Sequence, residues 1–269
     1  MNSDDFLRLT PDEILEEARY GKSLVIVEGE YDFIYEYIAD SVMKNHYEII
    51  TIESFINKSG NRAVENLILE IEIFAKDEGL EYIPYLVGIV DRDYREYENR
   101  LTQSDMLYIL DFYSIESYFA NKEVLRNMLL FSIRSERLVT EELIDMLYIK
   151  ITNELENELY KKSIEKIKKH INTRNFNIPQ SFDVLLKITK GKELLNRFIL
   201  KSNEYQRKLY SWCRDGEITP CKNKKNSEHE KFCLYIITRY DIHQLRNTIF
   251  KNVNLNSLIP IKERIRQLK

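Results

Sequence analysis

The chain has 269 residues, 40 Lys and Arg against 44 Asp and Glu for a formal charge of -4, and a 43% hydrophobic content. That balance excludes a disordered polyelectrolyte and a surface coated in basic groups, so nucleic-acid contact requires a local patch or metal ions bridging phosphates. Seven glycines fall well below the usual ~7% and favour long helices over turn-rich β architectures.

Met1-Asn2-Ser3-Asp4-Asp5 is acidic where a signal peptide is basic, and no run approaches the ~20 apolar residues of a membrane helix. The expectation is a cytoplasmic protein without membrane contact. Thr10-Pro11-Asp12-Glu13 places a capping hydroxyl, a proline and a glutamate at a helix start, and Gly21 closes a short helix over 11–20. Ser23 to Val27 is a branched, aliphatic strand of the kind buried on both faces of a parallel sheet. Phe33, Ile34, Tyr37, Ile38 and Val42 recur at helical spacing, and 47–52 is a second extended run. Val64, Leu67, Ile68, Ile71, Phe74 and Ala75 mark one helix face, 85–90 is a third strand, and 106–110 is a fourth. Strands alternating with single helices demand right-handed crossovers. The expected fold is therefore α/β: about four parallel strands with helices on both faces over 1–118, then a mostly helical domain over 119–269 for dimerisation, substrate or partner binding. Within the latter, Asn121, Thr140 and Ser181 read as helix caps, and Leu143, Leu147, Ile151, Leu155, Leu159, Ile164, Ile167 and Ile171 form one apolar stripe. That stripe suits either an intramolecular core or a homodimer surface.

Functional groups of open parallel sheets collect at the carboxyl ends of strands. Glu28 follows the first strand, and Asp91 and Asp93 end the third. Alternation along extended backbone would aim Asp91 and Asp93 the same way and Arg92 the other. Clustered carboxylates repel unless a cation compensates, and hard oxygen ligands select Mg²⁺ or Mn²⁺. Such an ion keeps positions for water and phosphate oxygens, which points to phosphoryl chemistry.

Val27-Glu28-Gly29-Glu30-Tyr31-Asp32 and Gly88-Ile89-Val90-Asp91-Arg92-Asp93 resemble the two signatures of the TOPRIM domain of topoisomerases, bacterial primases and overcoming-lysogenization-defect (OLD) nucleases. Asp111-Phe112-Tyr113-Ser114-Ile115-Glu116-Ser117-Tyr118 and Lys190-Gly191-Lys192-Glu193-Leu194-Leu195 are similar to segments of TOPRIM-like proteins that accompany ABC-type ATPases in anti-phage defence, notably the AriB-type effectors of PARIS systems. The resemblance implies a Mg²⁺-dependent endoribonuclease toxin acting on tRNA, held inactive by an AriA-like ABC-type ATPase and active as a homodimer. It implies Glu28 as general acid/base or metal ligand, Asp91 and Asp93 as the metal pair, and Asp32 and Glu116 as further catalytic acids. Asp111 and Lys192 are weaker candidates. A DNA nuclease of OLD type and a non-catalytic module docking on an ATPase remain alternatives.

Each candidate has a plainer reading. Asp32 suits the first turn of a helix, Glu116 an ordinary ion pair, Asp111 a turn and Lys192 an exposed helix start. Cys213, Cys221, His229 and Cys233 lack the short paired spacing of zinc knuckles, so idle, reduced thiols are expected in place of a disulfide framework. The basic loop Lys222 to Lys225 could touch a phosphate backbone.

Overall fold

The computed structural model describes residues 9–29, 34–35, 38, 46–56, 59–80, 85–132, 139–215 and 256–268. The chain divides into two compact units, 1–114 with 254–269, and 115–253. This differs from the expected division at residue 118: the turn at 115–119 belongs with the helical unit, and the last helix belongs with the sheet unit.

The first unit opens with α1 (Pro11–Tyr20). The Glu13 carboxylate reaches back to accept from the Thr10 backbone N–H at 2.8 Å, the reciprocal half of a capping box. Then come β1 (Ser23–Val27), β2 (Tyr47–Thr51), α2 (Asn61–Asp77), β3 (Leu86–Val90) and the short β4 (Leu107–Ile109). All neighbouring strands run parallel, in the order β2-β1-β3-β4. Every residue of β1 and β3 is buried, as central strands covered on both faces require. Of the helix expected after β1, Ile34, Tyr35 and Ile38 are helical and buried; Phe33, Tyr37 and Val42 lie outside the described residues.

On one face, Leu24 and Ile26 of β1 and Leu86 and Val90 of β3 form a core with Ile14, Leu15 and Ala18 of α1 and Val64, Leu67, Ile68 and Ile71 of α2. Gly88 of β3 is the point of closest approach. A Cβ there would stand 2.5 Å from Ile68 Cγ1 and 3.2 Å from Val64 Cγ1, so α2 sits at its present height because the strand carries a hydrogen at that position. The final helix, α7 (Ile259–Arg266), buries Ile261 and Ile265, and Arg266 acts electrostatically on Tyr47 of β2, whose phenol burial otherwise pushes up.

The second unit begins with a buried 3-10 turn, Ile115–Phe119. It continues through α3 (Lys122–Ser132), α4 (Glu141–His170), α5 (Phe182–Ile188) and α6 (Gly191–Asp215). The three expected caps are formed: Asn121 Oδ1 accepts from Val124 N–H at 2.9 Å, Thr140 Oγ1 from Leu143 N–H at 3.3 Å and Ser181 Oγ from Val184 N–H at 3.2 Å. The apolar stripe of α4 is spent inside the unit, with Leu147, Ile151, Leu155 and Ile167 fully buried. It therefore serves as intramolecular core, the first of the two roles the sequence leaves open for it. No helix among the described residues is long and apolar enough to cross a membrane.

Candidate active site at the carboxyl edge of the sheet

The strand order contains one topological switch. The chain leaves β1 for β2 on one side, then returns over β1 to β3 on the other. Loops diverge between β1 and β3 at their carboxyl ends, which is where open α/β sheets bind ligands. Ile26 pairs in register with Gly88, so Glu28, the residue just past β1, comes level with Val90 at the end of β3, and Asp91 is the next residue along.

Glu28 is exposed. It follows the parity of Leu24 and Ile26, which face α2. The position a Cβ on Gly60 would take lies 3.9 Å from Glu28 Oε1, placing that carboxylate beside the start of α2. Gly60 caps the helix with φ 98°, a left-handed conformation that favours glycine. The next residue, Asn61, joins the helix start to β3: its Oδ1 accepts from the Asp91 backbone N–H at 3.1 Å, and its Nδ2 donates to Asp93 Oδ2 at 2.9 Å. Glu28, Asp91 and Asp93 thus reach one edge through β1, β3 and α2.

The route by which Asp93 arrives differs from the one expected. Strand β3 stops at Val90, and Asp93 adopts φ 48° at the head of a turn over 93–99. Alternation along extended backbone therefore does not reach it; aspartate tolerates the left-handed region better than most side chains do. The Asp93 N–H donates to Tyr113 O at 3.0 Å, and buried Arg95 in the same turn pairs with Glu65 of α2 at 2.5 Å. Thr102 also donates to Glu65. The acidic turn is consequently tied to α2 at two places along the helix.

Tyr113 packs edge to face on Tyr94, centroids 5.3 Å apart. Burial pushes its phenol far above the ordinary value, and Asp93, Tyr94 and Asp91 push it further. Both aspartates therefore bear on one phenol, which stays protonated and is hydrogen-bonded to Tyr94. Arg92 is turned to Glu96, Nη2 to Oε2 2.7 Å.

Asp32 lies outside the described residues. Glu116 belongs to the helical unit and is 4% exposed. Asp111 is exposed in the bend after β4 and accepts from the Tyr108 hydroxyl at 3.3 Å. Lys192 is exposed in the first turn of α6. Cys213 falls within α6, whereas Cys221, His229, Cys233 and the Lys222 to Lys225 loop lie outside the described residues.

Among the described residues no three His, Cys, Asp or Glu side chains converge closely enough to hold a metal ion. Glu28, Asp91 and Asp93 share an edge without closing a cage, and one Asp93 oxygen is occupied by Asn61. Their hard oxygen donors nevertheless suit Mg²⁺, which commonly takes one or two carboxylates and fills its remaining positions with water and substrate phosphate. Sequence reasoning missed Asn61 and Tyr113. The signal for Asn61 was present: the helix that follows β2 must start at the carboxyl edge, so a polar residue just after Ser59-Gly60 lines the crevice. No protein-family model matches the chain, and no curated protein is significantly similar to it.

Proposed function

We propose that the crevice between β1 and β3 is the centre of a metal-dependent phosphodiesterase of TOPRIM type, cutting RNA. The observation that carries this reading is the placing of Glu28 and Asp91 at the ends of the two strands flanking the switch point, with Asp93 attached to them through Asn61. Asp91 and Asp93 would hold Mg²⁺ or Mn²⁺, with Glu28 at the opposite lip. When bound, such an ion supplies an activated water and neutralises charge at the phosphate. Glu28, the exposed carboxylate, exchanges protons with the attacking or leaving oxygen. Asn61 fixes the Asp93 carboxylate and the Asp91 backbone, and Tyr113 keeps a neutral phenol beside them. RNA as substrate, tRNA in particular, and restraint by an AriA-like ABC-type ATPase rest on the resemblance to AriB-type effectors. The homodimer rests on the same resemblance, and the buried stripe of α4 does not support it.

The test is cleavage by purified protein, freed of partners, of tRNA, other RNA and DNA with Mg²⁺ or Mn²⁺. Sequencing of RNA ends after induced expression should give new discrete termini for the parent and none for Glu28→Gln. Absence of cutting under every condition, or equal cutting by Glu28→Gln, overturns the reading. Cutting of DNA alone transfers it to the OLD type of substrate.

A further inference from the structure

The helical unit carries a concentrated positive charge in a stretch of sequence separate from Lys222 to Lys225. Residues 161–193 hold nine Lys and Arg against three acids, Glu165, Asp183 and Glu193, an excess of six positive charges in a chain whose total is -4. They occupy the last three turns of α4, the connector after it, α5 and the start of α6. Packing gathers these pieces. Ser163 and Thr189 hydroxyls meet at 2.8 Å in the interior, and Glu193 of α6 accepts from both Lys162 at 2.6 Å and Lys166 at 2.8 Å of α4. The chain bearing Lys190 and Lys192, on either side of Gly191, thereby runs beside the Lys162 to Lys166 stretch of α4. Lys168 pairs with Glu165 at 3.2 Å. Lys161, Lys169, Arg174 and Lys190 are exposed and make no ion pair among the described residues.

Uncompensated cations close together repel and are kept at a cost, so a face of this kind calls for an anion. Its dimensions exclude a single small one. From Lys161 to His170 the helix rises about 14 Å, a length over which a nucleic-acid duplex presents roughly eight phosphates. Membrane adsorption would require apolar side chains beside the lysines, yet none of the exposed large hydrophobic residues falls within 161–193. What interleaves with the cations is amide: Asn172, Asn175, Asn177 and Gln180 are all exposed. Amides both donate and accept, as ribose 2′-hydroxyls do.

We infer that the 161–193 face of the helical unit is an RNA-docking surface, with Lys161, Lys169, Arg174 and Lys190 contacting the phosphate backbone and the connector amides contacting ribose. The choice of RNA rests on the nuclease reading; the cationic face does not. The test uses the full chain carrying Asp91→Asn, so that bound RNA survives, and follows fluorescence anisotropy of labelled tRNA over a series of NaCl concentrations. Adding Lys161→Gln, Lys169→Gln, Arg174→Gln and Lys190→Gln together should weaken binding on the order of 10- to 100-fold. It should also make the log–log salt slope shallower by about 3, at roughly 0.7 to 0.9 for each phosphate no longer neutralised. In the parent, tRNA should protect Lys161, Lys169 and Lys190 from acetylation, a measurement independent of how the fourfold variant folds. Unchanged affinity and slope, or no protection, overturns the surface. So does equal affinity for a DNA hairpin of matching sequence, or equally sensitive binding to phosphatidylserine vesicles or polyglutamate. Unchanged binding in the fourfold variant leaves the nuclease reading standing. RNA held through these groups by a parent that cuts nothing leaves this surface standing and removes that reading.

Discussion

Asn61 serves two acidic positions with one side chain, accepting from the Asp91 N–H and donating to the Asp93 carboxylate. Asn61→Ala removes both bonds and leaves a half-buried amide N–H without its acceptor, at about 1 kcal/mol for each bond. The unfolding free energy from urea titration should fall by about 1–3 kcal/mol. Groups that orient metal ligands typically carry a further 10- to 100-fold in metal affinity. On the proposed metal-dependent reading, the Mn²⁺ concentration for half-maximal cleavage should rise by that factor, with Asn61→Asp more severe because a like charge would face Asp93. Wild-type metal dependence in both variants would show that Asn61 only supports the turn. Glu28, Asp91 and Asp93 were legible in the sequence because hydrophobic strands end visibly at them. Asn61 was legible only as a polar residue at the carboxyl edge; its two bonds depend on a crossover that returns the helix start to β3, 30 residues away along the chain. The left-handed Asp93 escaped for a related reason: nothing in Val90-Asp91-Arg92-Asp93 announces that extended backbone stops one residue before the first aspartate.

Elements translate side-chain volume into the position of the site, and the packing of α2 on β3 is the clearest instance. Gly88 leaves no room for a methyl group between Ile68 and Val64, both fully buried, so neither can swing into solvent. Gly88→Ala should push α2 off the sheet and destabilise by about 1–3 kcal/mol, the usual cost of overpacking a core. Because Asn61 begins that helix, the nuclease activity we propose should, if present, fall further than the decrease in folded fraction accounts for. A variant with normal Tm and activity would show that the helix can slide without consequence. The hydrophobic spacing that defined α1, β1, α2 and β3 was readable because each buries one face or two against a near neighbour. The same periodicity could not separate core from dimer surface on α4, where only the packing of α5 and α6 decides. Nor could it assign α7 to the sheet unit, which depends on tertiary contacts that periodicity does not carry. Capping was more local and therefore more legible. Thr140→Ala should lower stability by about 1 kcal/mol, by loss of the acceptor for Leu143 N–H at the head of a 30-residue helix.

Across the whole molecule, shifted ionisations of opposite kinds bound the pH range of stability. Glu154 is held below its ordinary 4.5 by the Tyr205 hydroxyl and by Lys201. Glu193 and Glu72 are also lowered: burial alone would raise them, and their lysine and serine partners outweigh it. A depressed carboxylate stabilises above its unfolded value, and that contribution is lost as pH falls below about 4.5. Lys201, bridging Glu158 at 2.6 Å and Glu154 at 2.9 Å, is raised above 10.5, chiefly by Glu158 and then Glu154. Tyr148 is pushed from 10.0 to about 12 by burial and by Asp183, in a cluster with Phe182 at 5.9 Å and Phe198 at 6.3 Å. A raised folded value gives stability that is full below the unfolded one and lost as pH climbs through the folded one. The urea midpoint should therefore be level between about pH 5.5 and 9 and fall on both sides, urea being chosen because it does not screen the ion pairs. Glu154→Gln should flatten the acid limb. Tyr148→Phe keeps the ring against Phe182 and Phe198 and removes the ionisable oxygen, so the fall between about pH 10 and 12 should become shallower with little change near neutral pH. A midpoint that rises above about pH 10, or an alkaline limb unmoved in Tyr148→Phe, would show that this tyrosine is not among the groups whose ionisation opens the helical unit.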